Sequence, residues 1–199
     1  MLRKILSLVS NYNPSFIEIY DNALTKKECE ILISQFNKSP QCEGVVGSSS
    51  SGRVVNKESK QSIELSDLSL WDGSTISNII LSSLYKCINK YKEKYSSLED
   101  IYSWKVDDLY TFKKFESKDD GYKRWHTEQS GPRHAKRIAV WMFYLNNARS
   151  GTEFKNFYPM ESKMGRCIIW PASWTHVHRS SVPNKGLKYI VSGWISYNE

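Results

Sequence analysis

Three of the four histidines of the chain lie in two short segments whose spacing could bind a metal ion. His126 and Glu128 are two residues apart, and in an extended strand such residues point to the same face. They would present an imidazole and a carboxylate side by side. One further imidazole from a distant strand would complete a set of two histidines and one carboxylate, which binds Fe(II) with open coordination positions.

The second segment offers two candidates for the third ligand, His176 and His178. Both have the same strand parity, so strand geometry alone leaves the choice between them open. A His-x-Glu tripeptide is a weak signal by itself, because an isolated histidine is commonly an ordinary core or surface residue. The interpretation therefore depends on a second chemical signal.

A lysine at the start of an apolar strand is that signal. The apolar run begins at Lys188, ten residues after His178. Alternation with period two puts Lys188, Ile190, Ser192 and Trp194 on one face of the strand. An inward-facing lysine is unfavourable unless an anion neutralises it. We therefore expect the carboxylate of a ligand to lie beside Lys188.

The elements that would position these residues change in type along the chain. Residues 16–20 alternate as a half-buried strand does, and Thr25 with Glu28 forms a capping box before an amphipathic helix. A second helix is expected over residues 74–95. After residue 104, short strands follow one another at 108–115, 137–145, 165–170 and 188–196. This order predicts a mainly β fold with helices packed on one sheet.

Composition restricts the class of protein further. The net charge is +7, but the basic residues form pairs instead of runs, so no dedicated nucleic-acid arm is indicated. Four cysteines without a C-x-x-C pair favour a reducing compartment. The apolar stretch at residues 5–9 is too short for a signal sequence, and no segment approaches a membrane span. We therefore expect a cytoplasmic protein without membrane contact.

Four motifs in a fixed order resemble those of the prolyl-4-hydroxylase-like group of 2-oxoglutarate/Fe(II) dioxygenases. They are a Tyr-Leu-Asn strand end at 144–146, a Ser-Gly-Thr-Glu-Phe turn at 150–154, a Lys-Met-Gly turn at 163–165 and a Cys-Ile-Ile-Trp-Pro strand at 167–171. The resemblance covers residues 105–197 and, more faintly, the helix after Thr25. It implies a double-stranded β-helix (jelly roll, cupin-like) core at 104–197, with helical support and a lid loop within 1–103. The whole chain, 1–199, would form a single domain.

The resemblance also implies roles for individual residues. His126, Glu128 and His178 would bind the metal, and the ten-residue spacing to the lysine favours His178 over His176. Lys188 would pair with the far carboxylate of 2-oxoglutarate. Two further residues would complete that pocket: Tyr144 by a hydrogen bond to the same carboxylate, and Ser192 as part of the wall. The implied cofactors are Fe(II), 2-oxoglutarate and dioxygen, with ascorbate as a candidate reductant.

Two positions depart from the pattern of the group. Glu128 stands where relatives usually have aspartate, and the longer side chain should still reach the metal. Phe115 stands where relatives often have a tyrosine near the cosubstrate, which removes one hydrogen bond. The Gly/Ser-rich segment 44–52, with Arg53 beyond it, is predicted to be a mobile loop and a candidate substrate lid.

The resemblance favours hydroxylation of a C–H bond in a peptidyl proline, and other readings stay open. The substrate could instead be a free amino acid or another small molecule. It could also be a nucleobase stacked on Trp104, Tyr122 or Trp125, which the basic charge allows but no motif indicates. A third reading is a catalytically inactive β-helix that serves as a binding module. Glu128 would favour that reading, whereas an inward-facing Lys188 argues against it.

Overall fold

Antiparallel strands dominate the computed structural model, which describes residues 15–48, 52–181, 184 and 186–198. The described helices are α1 (Lys26–Lys38) and α2 (Thr75–Lys94). The strands in chain order are β1 (Glu18–Tyr20), β2 (Cys42–Glu43), β3 (Val46–Ser48), β4 (Gly52–Val54), β5 (Lys60–Gln61), β6 (Ile63–Ser69), β7 (Trp104–Phe115), β8 (Gly121–Tyr122), β9 (Arg137–Tyr144), β10 (Ala148–Phe154), β11 (Phe157–Ser162), β12 (Cys167–Pro171), β13 (His178–Ser180) and β14 (Lys188–Tyr197).

The main sheet has seven strands in the order β1-β12-β9-β14-β7-β6-β2, and each neighbouring pair is antiparallel. A second sheet, in the order β11-β10-β13, faces it. Neighbours in the main sheet are far apart in sequence, as in a Greek-key jelly roll. The mainly β, double-stranded β-helix prediction is confirmed.

Both helices pack on the outer face of the main sheet. Thr25 and Glu28 form the predicted capping box of α1, with Glu28 N–H donating to the Thr25 hydroxyl and Thr25 N–H to the Glu28 carboxylate. The buried residues of α1 and α2 join those of the sheet in one apolar cluster, which includes Leu32, Phe36, Ile80, Leu84, Phe112, Trp141 and Val191. Burial of this apolar surface fixes the sheet against the helices.

The inner face of the main sheet carries the pocket. Along β14, Tyr189, Val191 and Ile195 belong to the helix-side cluster. Ile190 and Trp194 pack with the second cluster, which lies between the sheets. The period-two alternation predicted for this strand therefore holds, and it puts Lys188 on the inner face.

The region between the helices contains more strands than the sequence analysis expected. Strand β6 joins the main sheet beside β7, so the sheet extends into the part assigned to helical support. A bulge between Leu65 and Leu68 interrupts the pairing. That bulge breaks the period-two pattern from which strands are predicted, which explains why β6 was missed.

The described part of segment 44–52 contains β-strands where an irregular loop was expected, and its mobility stays a prediction. Strands β3 and β4 pair as a hairpin, with Val46 opposite Val54. The cross-strand valine pair and the backbone ladder stabilise strands in a segment whose small side chains suggested a loop. Residues 49–51 lie outside the described residues, so the lid role stays a prediction.

The remaining predictions about the chain concern thiols and membranes. All four cysteines are free; Cys29, Cys87 and Cys167 are buried and Cys42 is exposed. Within the described ranges, neither helix combines the length and apolarity that a bilayer crossing requires. The apolar stretch at residues 5–9 lies outside the described residues.

Candidate metal centre and adjoining pocket

A pair of backbone hydrogen bonds brings His126 and His178 together. The amide of His126 donates to the carbonyl of His178 at 3.0 Å, and the amide of His178 donates back at 2.9 Å. His178 opens β13, whereas His126 lies between β8 and β9 and pairs with it as an isolated bridge. Two residues that are distant in the sequence thus lie with their rings close together, with centroids 4.4 Å apart.

Glu128 completes a compact group with the two histidines. One ligand atom from each of the three residues lies within 4.8 Å of the others. The Glu128 Oε1 atom is 3.6 Å from His126 Nε2 and 3.7 Å from His178 Nε2. These separations leave room for an ion between the three atoms. The structure therefore brings together the three residues that the sequence analysis selected for the metal.

Both imidazoles are held with Nε2 free to bind a metal. His126 Nδ1 lies 3.0 Å from the Arg124 carbonyl, and His178 Nδ1 lies 2.9 Å from the His176 carbonyl. A carbonyl only accepts hydrogen bonds, so each Nδ1 carries the proton and each Nε2 keeps its lone pair. Tyr122 stacks on His126 with ring centroids 3.7 Å apart, which further fixes that ring. Such support from neighbouring groups is typical of histidine ligands.

The carboxylate of Glu128 is oriented by two donors at its other oxygen. Trp194 Nε1 donates to Glu128 Oε2 at 2.9 Å, and Arg137 donates to the same oxygen at 3.3 Å. The Arg137 guanidinium lies over the Trp194 ring, 3.7 Å from its centroid. Neither donor was identified from the sequence as supporting Glu128. The alternation of β14 puts Trp194 on the same face as Lys188, and the contact of Trp194 with the pocket could have been inferred from that.

The electrostatics of the group suit a cation. Burial raises the pKa of Glu128, but the nearby rings of His126 and His178 outweigh burial, so the pKa of this carboxyl lies well below its usual value. Burial lowers the pKa of His126, and this effect outweighs the nearby Glu128 carboxylate, which raises the pKa. An ionised carboxylate and neutral imidazoles are the protonation states that metal binding requires.

Lys188 is buried in the same pocket without a carboxylate partner among the described residues. Its Nζ donates to Ser150 Oγ at 3.0 Å and to the Gly151 carbonyl at 3.3 Å. The centroid of the Phe115 ring lies 4.6 Å from the ammonium group. Phe115 is the residue at which the resemblance led us to compare a tyrosine of the relatives. Burial lowers the pKa of Lys188 to about 8. This environment is that of a cation which an anionic ligand would stabilise.

The other two predicted pocket residues lie near Lys188 and already have polar partners. The hydroxyl of Tyr144 is 2.7 Å from Thr152 Oγ1. The hydroxyl of Ser192 accepts from Lys113 Nζ at 2.7 Å. All of these residues line one pocket together with the three candidate metal ligands. Thr152 and Lys113 were not identified from the sequence.

His176, the rival third ligand, lies outside the group. Its Nε2 is 2.7 Å from the Ser15 carbonyl and its Nδ1 is 2.8 Å from Thr175 Oγ1. The ring stacks on Phe157 with centroids 5.1 Å apart. A short 3-10 turn, Trp174–His176, precedes β13 and breaks the strand parity that the two histidines were assumed to share. His176 is therefore a core residue with both ring nitrogens occupied.

The aromatic residues considered for base stacking have other contacts. Tyr122 stacks on His126, and Trp104 Nε1 donates to the Leu98 carbonyl at 3.0 Å. Trp125 is 41% exposed, with the Arg179 guanidinium 4.4 Å from the centroid of its ring. Two of the three rings are thus already packed within the protein.

The donor atoms of the pocket fit a divalent metal and an anionic ligand. Two imidazole nitrogens and one carboxylate oxygen form the set that suits Fe(II) and leaves positions open. In the pocket wall, the buried Trp170 Nε1 has no hydrogen-bond partner among the described residues. A buried donor without an acceptor is costly, and a polar ligand would remove that cost.

Comparisons with known proteins agree with this arrangement. Residues 110–196 match the sequence model of the family described as the 2OG-Fe(II) oxygenase superfamily. The fold is similar to that of a viral collagen prolyl hydroxylase from Paramecium Bursaria Chlorella virus-1 in its 2OG complex, with 18% identity and a TM-score of 0.66 over 92% of this chain and 97% of that chain. No curated protein matched the chain by sequence.

Two further solved structures have the same fold. A prolyl hydroxylase from Trichoplax adhaerens, in complex with a peptide of the hypoxia inducible factor oxygen degradation domain, is 13% identical, with a TM-score of 0.71 over 98% of this chain and 91% of that chain. A Pseudomonas putida prolyl-4-hydroxylase is 10% identical, with a TM-score of 0.61 over the full length of both chains. At these identities the similarity establishes the fold.

Proposed function

We propose that this chain, whose residues 110–196 match the model of the 2OG-Fe(II) oxygenase superfamily, is an oxygenase that hydroxylates a C–H bond of a peptide substrate, with proline as the first residue to test. The observation that carries this proposal is one pocket that holds both chemical features. Three metal-type ligand atoms lie within 4.8 Å of one another, and the buried Lys188 lines the same space.

In this proposal each residue of the pocket has one role. His126, Glu128 and His178 hold Fe(II), and Trp194 with Arg137 keeps the Glu128 carboxylate in place. The metal, 2-oxoglutarate and dioxygen together supply the oxidising chemistry when bound.

The far carboxylate of 2-oxoglutarate has its own set of partners at the other end of the pocket. Lys188 neutralises it, and the Tyr144 hydroxyl turns from Thr152 to donate to it. Burial keeps the Tyr144 pKa above its usual value, so this hydroxyl remains a donor over the physiological range. Phe115 and Ile190 exclude water from the space around the ammonium.

A peptide substrate is supported by two observations. The similar viral and Trichoplax enzymes are prolyl hydroxylases, and the second is seen with a peptide. In this chain, the exposed Trp125 lies against Arg179, which lines the pocket. Tryptophan and arginine are enriched where proteins bind other chains. A free amino acid would have no use for this exposed pair.

The substrate proposal is tested with the purified protein, Fe(II), 2-oxoglutarate and a set of proline-containing peptides. Mass spectrometry should show the gain of one oxygen atom on proline, coupled to succinate formation. The His178→Ala variant should produce neither. Succinate formation stimulated by free proline or by single-stranded nucleic acid, and not by any peptide, would refute the peptide assignment and support one of the other substrate classes.

A further inference from the structure

Lys113, like Lys188, is a cationic side chain of the pocket without a carboxylate partner among the described residues, and it has no role in the proposed function. It lies on β7, in register with Ile190 of β14 and with Glu64 of β6. Residues directly opposite each other in an antiparallel pair carry their side chains on the same face. Lys113 is therefore on the inner face of the main sheet, where Lys188 and Ser192 also line the pocket.

The Lys113 ammonium has a single neutral acceptor among the described residues. Its Nζ donates to Ser192 Oγ at 2.7 Å. Glu64, although opposite Lys113 on β6, instead forms an ion pair with Lys60 at 2.7 Å. An ammonium has three donors and binds most strongly to anionic acceptors. Burial, with repulsion from Lys60, lowers the pKa of Lys113 and outweighs the attraction of Glu64 and Glu128.

The charges that line the pocket do not balance. Lys60 is neutralised by Glu64, and Arg179 pairs with Glu153 at 2.8 Å. Lys113 and Lys188 have no carboxylate within ion-pair distance in the described part of the chain. The remaining carboxylate, that of Glu128, is already surrounded by two imidazoles and Arg137. The pocket therefore has an excess of positive charge at two separate points.

The two unpaired lysines are diagonal neighbours on adjacent strands. Lys188 is in register with Phe115 and Ile190 with Lys113, which places Lys113 one diagonal step from Lys188. Such neighbours have Cα atoms roughly 7–8 Å apart. One extended dicarboxylate could bridge this separation, or two separate carboxylates could occupy the two points.

We propose that Lys113 binds a carboxylate group in the pocket, distinct from the carboxylate assigned to Lys188. This inference rests on the proposed function, because the pocket must bind 2-oxoglutarate for a second carboxylate to be considered. Two sources fit the chemistry: the near carboxylate of 2-oxoglutarate itself, and a carboxylate of the molecule to be hydroxylated. The second source would define the substrate as one that is acidic close to the reacting carbon.

The test is a binding titration that involves no turnover. N-oxalylglycine, an unreactive analogue of 2-oxoglutarate, is titrated into the Mn(II)-loaded protein and followed by calorimetry. The proteins compared are the wild type, Lys113→Met, Lys113→Arg, Lys188→Met and, as the matched control, Lys114→Met. Lys114 is the next residue on β7 and pairs with Glu116 at 2.7 Å. Circular dichroism and thermal unfolding check that each variant is folded.

If the carboxylate belongs to the cosubstrate, Lys113→Met should weaken N-oxalylglycine binding about tenfold or more, the loss typical of a charge-assisted hydrogen bond. Lys113→Arg should restore the binding, while Lys114→Met should leave it unchanged. If the carboxylate belongs to the substrate, N-oxalylglycine binding is unaffected by Lys113→Met. Propionate should then bind to the wild-type complex and fail to bind to the Lys113→Met complex.

Equal behaviour of Lys113→Met and the wild type with both probes would overturn the inference and leave Lys113 as a partner of Ser192 alone. The proposed function would survive that result as long as N-oxalylglycine binding still depended on Lys188. Failure of the wild type to bind N-oxalylglycine at all would overturn both proposals.

Discussion

The indole nitrogen of Trp194 donates a hydrogen bond to Glu128 Oε2 at 2.9 Å, and this contact occupies one of the two oxygens of the carboxylate. The bond holds Oε2 away from the imidazoles, so Oε1 is the oxygen that faces His126 and His178. The Glu128 side chain thus spans from the candidate metal position to the indole. Glu128 is matched by its surroundings, which argues against an inactive site.

Replacing Trp194 by phenylalanine should weaken metal binding. The ring volume is largely kept, but the donor to Glu128 is lost. Partners of this kind contribute roughly 10- to 100-fold in metal affinity. Anaerobic titration with Fe(II) or Mn(II) measures the change, and Trp71→Phe, at a tryptophan 55% exposed, is the control. Identical affinities for wild type and Trp194→Phe would contradict this role for the indole.

The Glu128→Asp variant, although it restores the usual residue, should bind metal less tightly than the wild type. The shorter side chain cannot reach the two imidazoles and the Trp194 indole together, because one methylene is removed. We expect a loss of roughly tenfold or more, measured in the same titration. Equal or tighter metal binding by Glu128→Asp would show that the site is not adapted to glutamate.

Cosubstrate binding should decrease as the pH rises through about 8, because burial lowers the pKa of Lys188 to about 8 in the free protein. Below that pH the lysine is charged and pairs with the carboxylate. Above it Lys188 of the free protein is a neutral amine, so binding of the carboxylate requires the uptake of a proton and becomes weaker. Calorimetric titration of 2-oxoglutarate between pH 6 and 9 should show this loss. Lys188→Arg stays charged and should bind with little pH dependence in this range.

A wild-type profile that is flat across this range, or a Lys188→Arg profile that falls as steeply, would exclude Lys188 as the titrating group.

Removing one partner of the buried Lys60–Glu64 ion pair should destabilise the protein. The atoms of the pair are 2.7 Å apart, and the two side chains are 8% and 2% exposed. Lys60→Met leaves a buried carboxylate unpaired, which should lower the free energy of unfolding by about 3–5 kcal/mol. The double variant Lys60→Met/Glu64→Leu should recover most of this loss. Chemical denaturation measures both; a single variant as stable as the wild type would refute the expected cost.

The sequence predicted those parts of the site that depend on local spacing. The alternation from Lys188 follows from strand geometry, and the structure places Lys188, His126 and Glu128 in one pocket. The strand expected for His126 and Glu128 does not form, because His126 pairs only as an isolated bridge and Glu128 lies in a bend. The helix caps at Thr25 and Ser74 were predictable for the same reason, since capping depends on neighbouring residues.

The contacts that the sequence missed are non-local. Lys113 meets Ser192 through the pairing of β7 with β14, and Trp194 of β14 meets Glu128, which lies between β8 and β9. The choice of His178 over His176 depends on a short 3-10 turn that changes the strand parity. Strand β6 was missed because a bulge interrupts its alternation. In each case tertiary pairing decides what local pattern leaves open.

The central claim, that His126, Glu128 and His178 hold Fe(II) beside a cosubstrate bound by Lys188, is tested most directly by anaerobic titration of the metal-free protein with Fe(II) and 2-oxoglutarate. The wild type should show a weak visible metal-to-ligand charge-transfer band. The band should be lost in His178→Ala and strongly reduced in Lys188→Met, whereas His176→Ala should retain it. Absence of the band in folded wild-type protein, or its persistence in His178→Ala, would contradict the account.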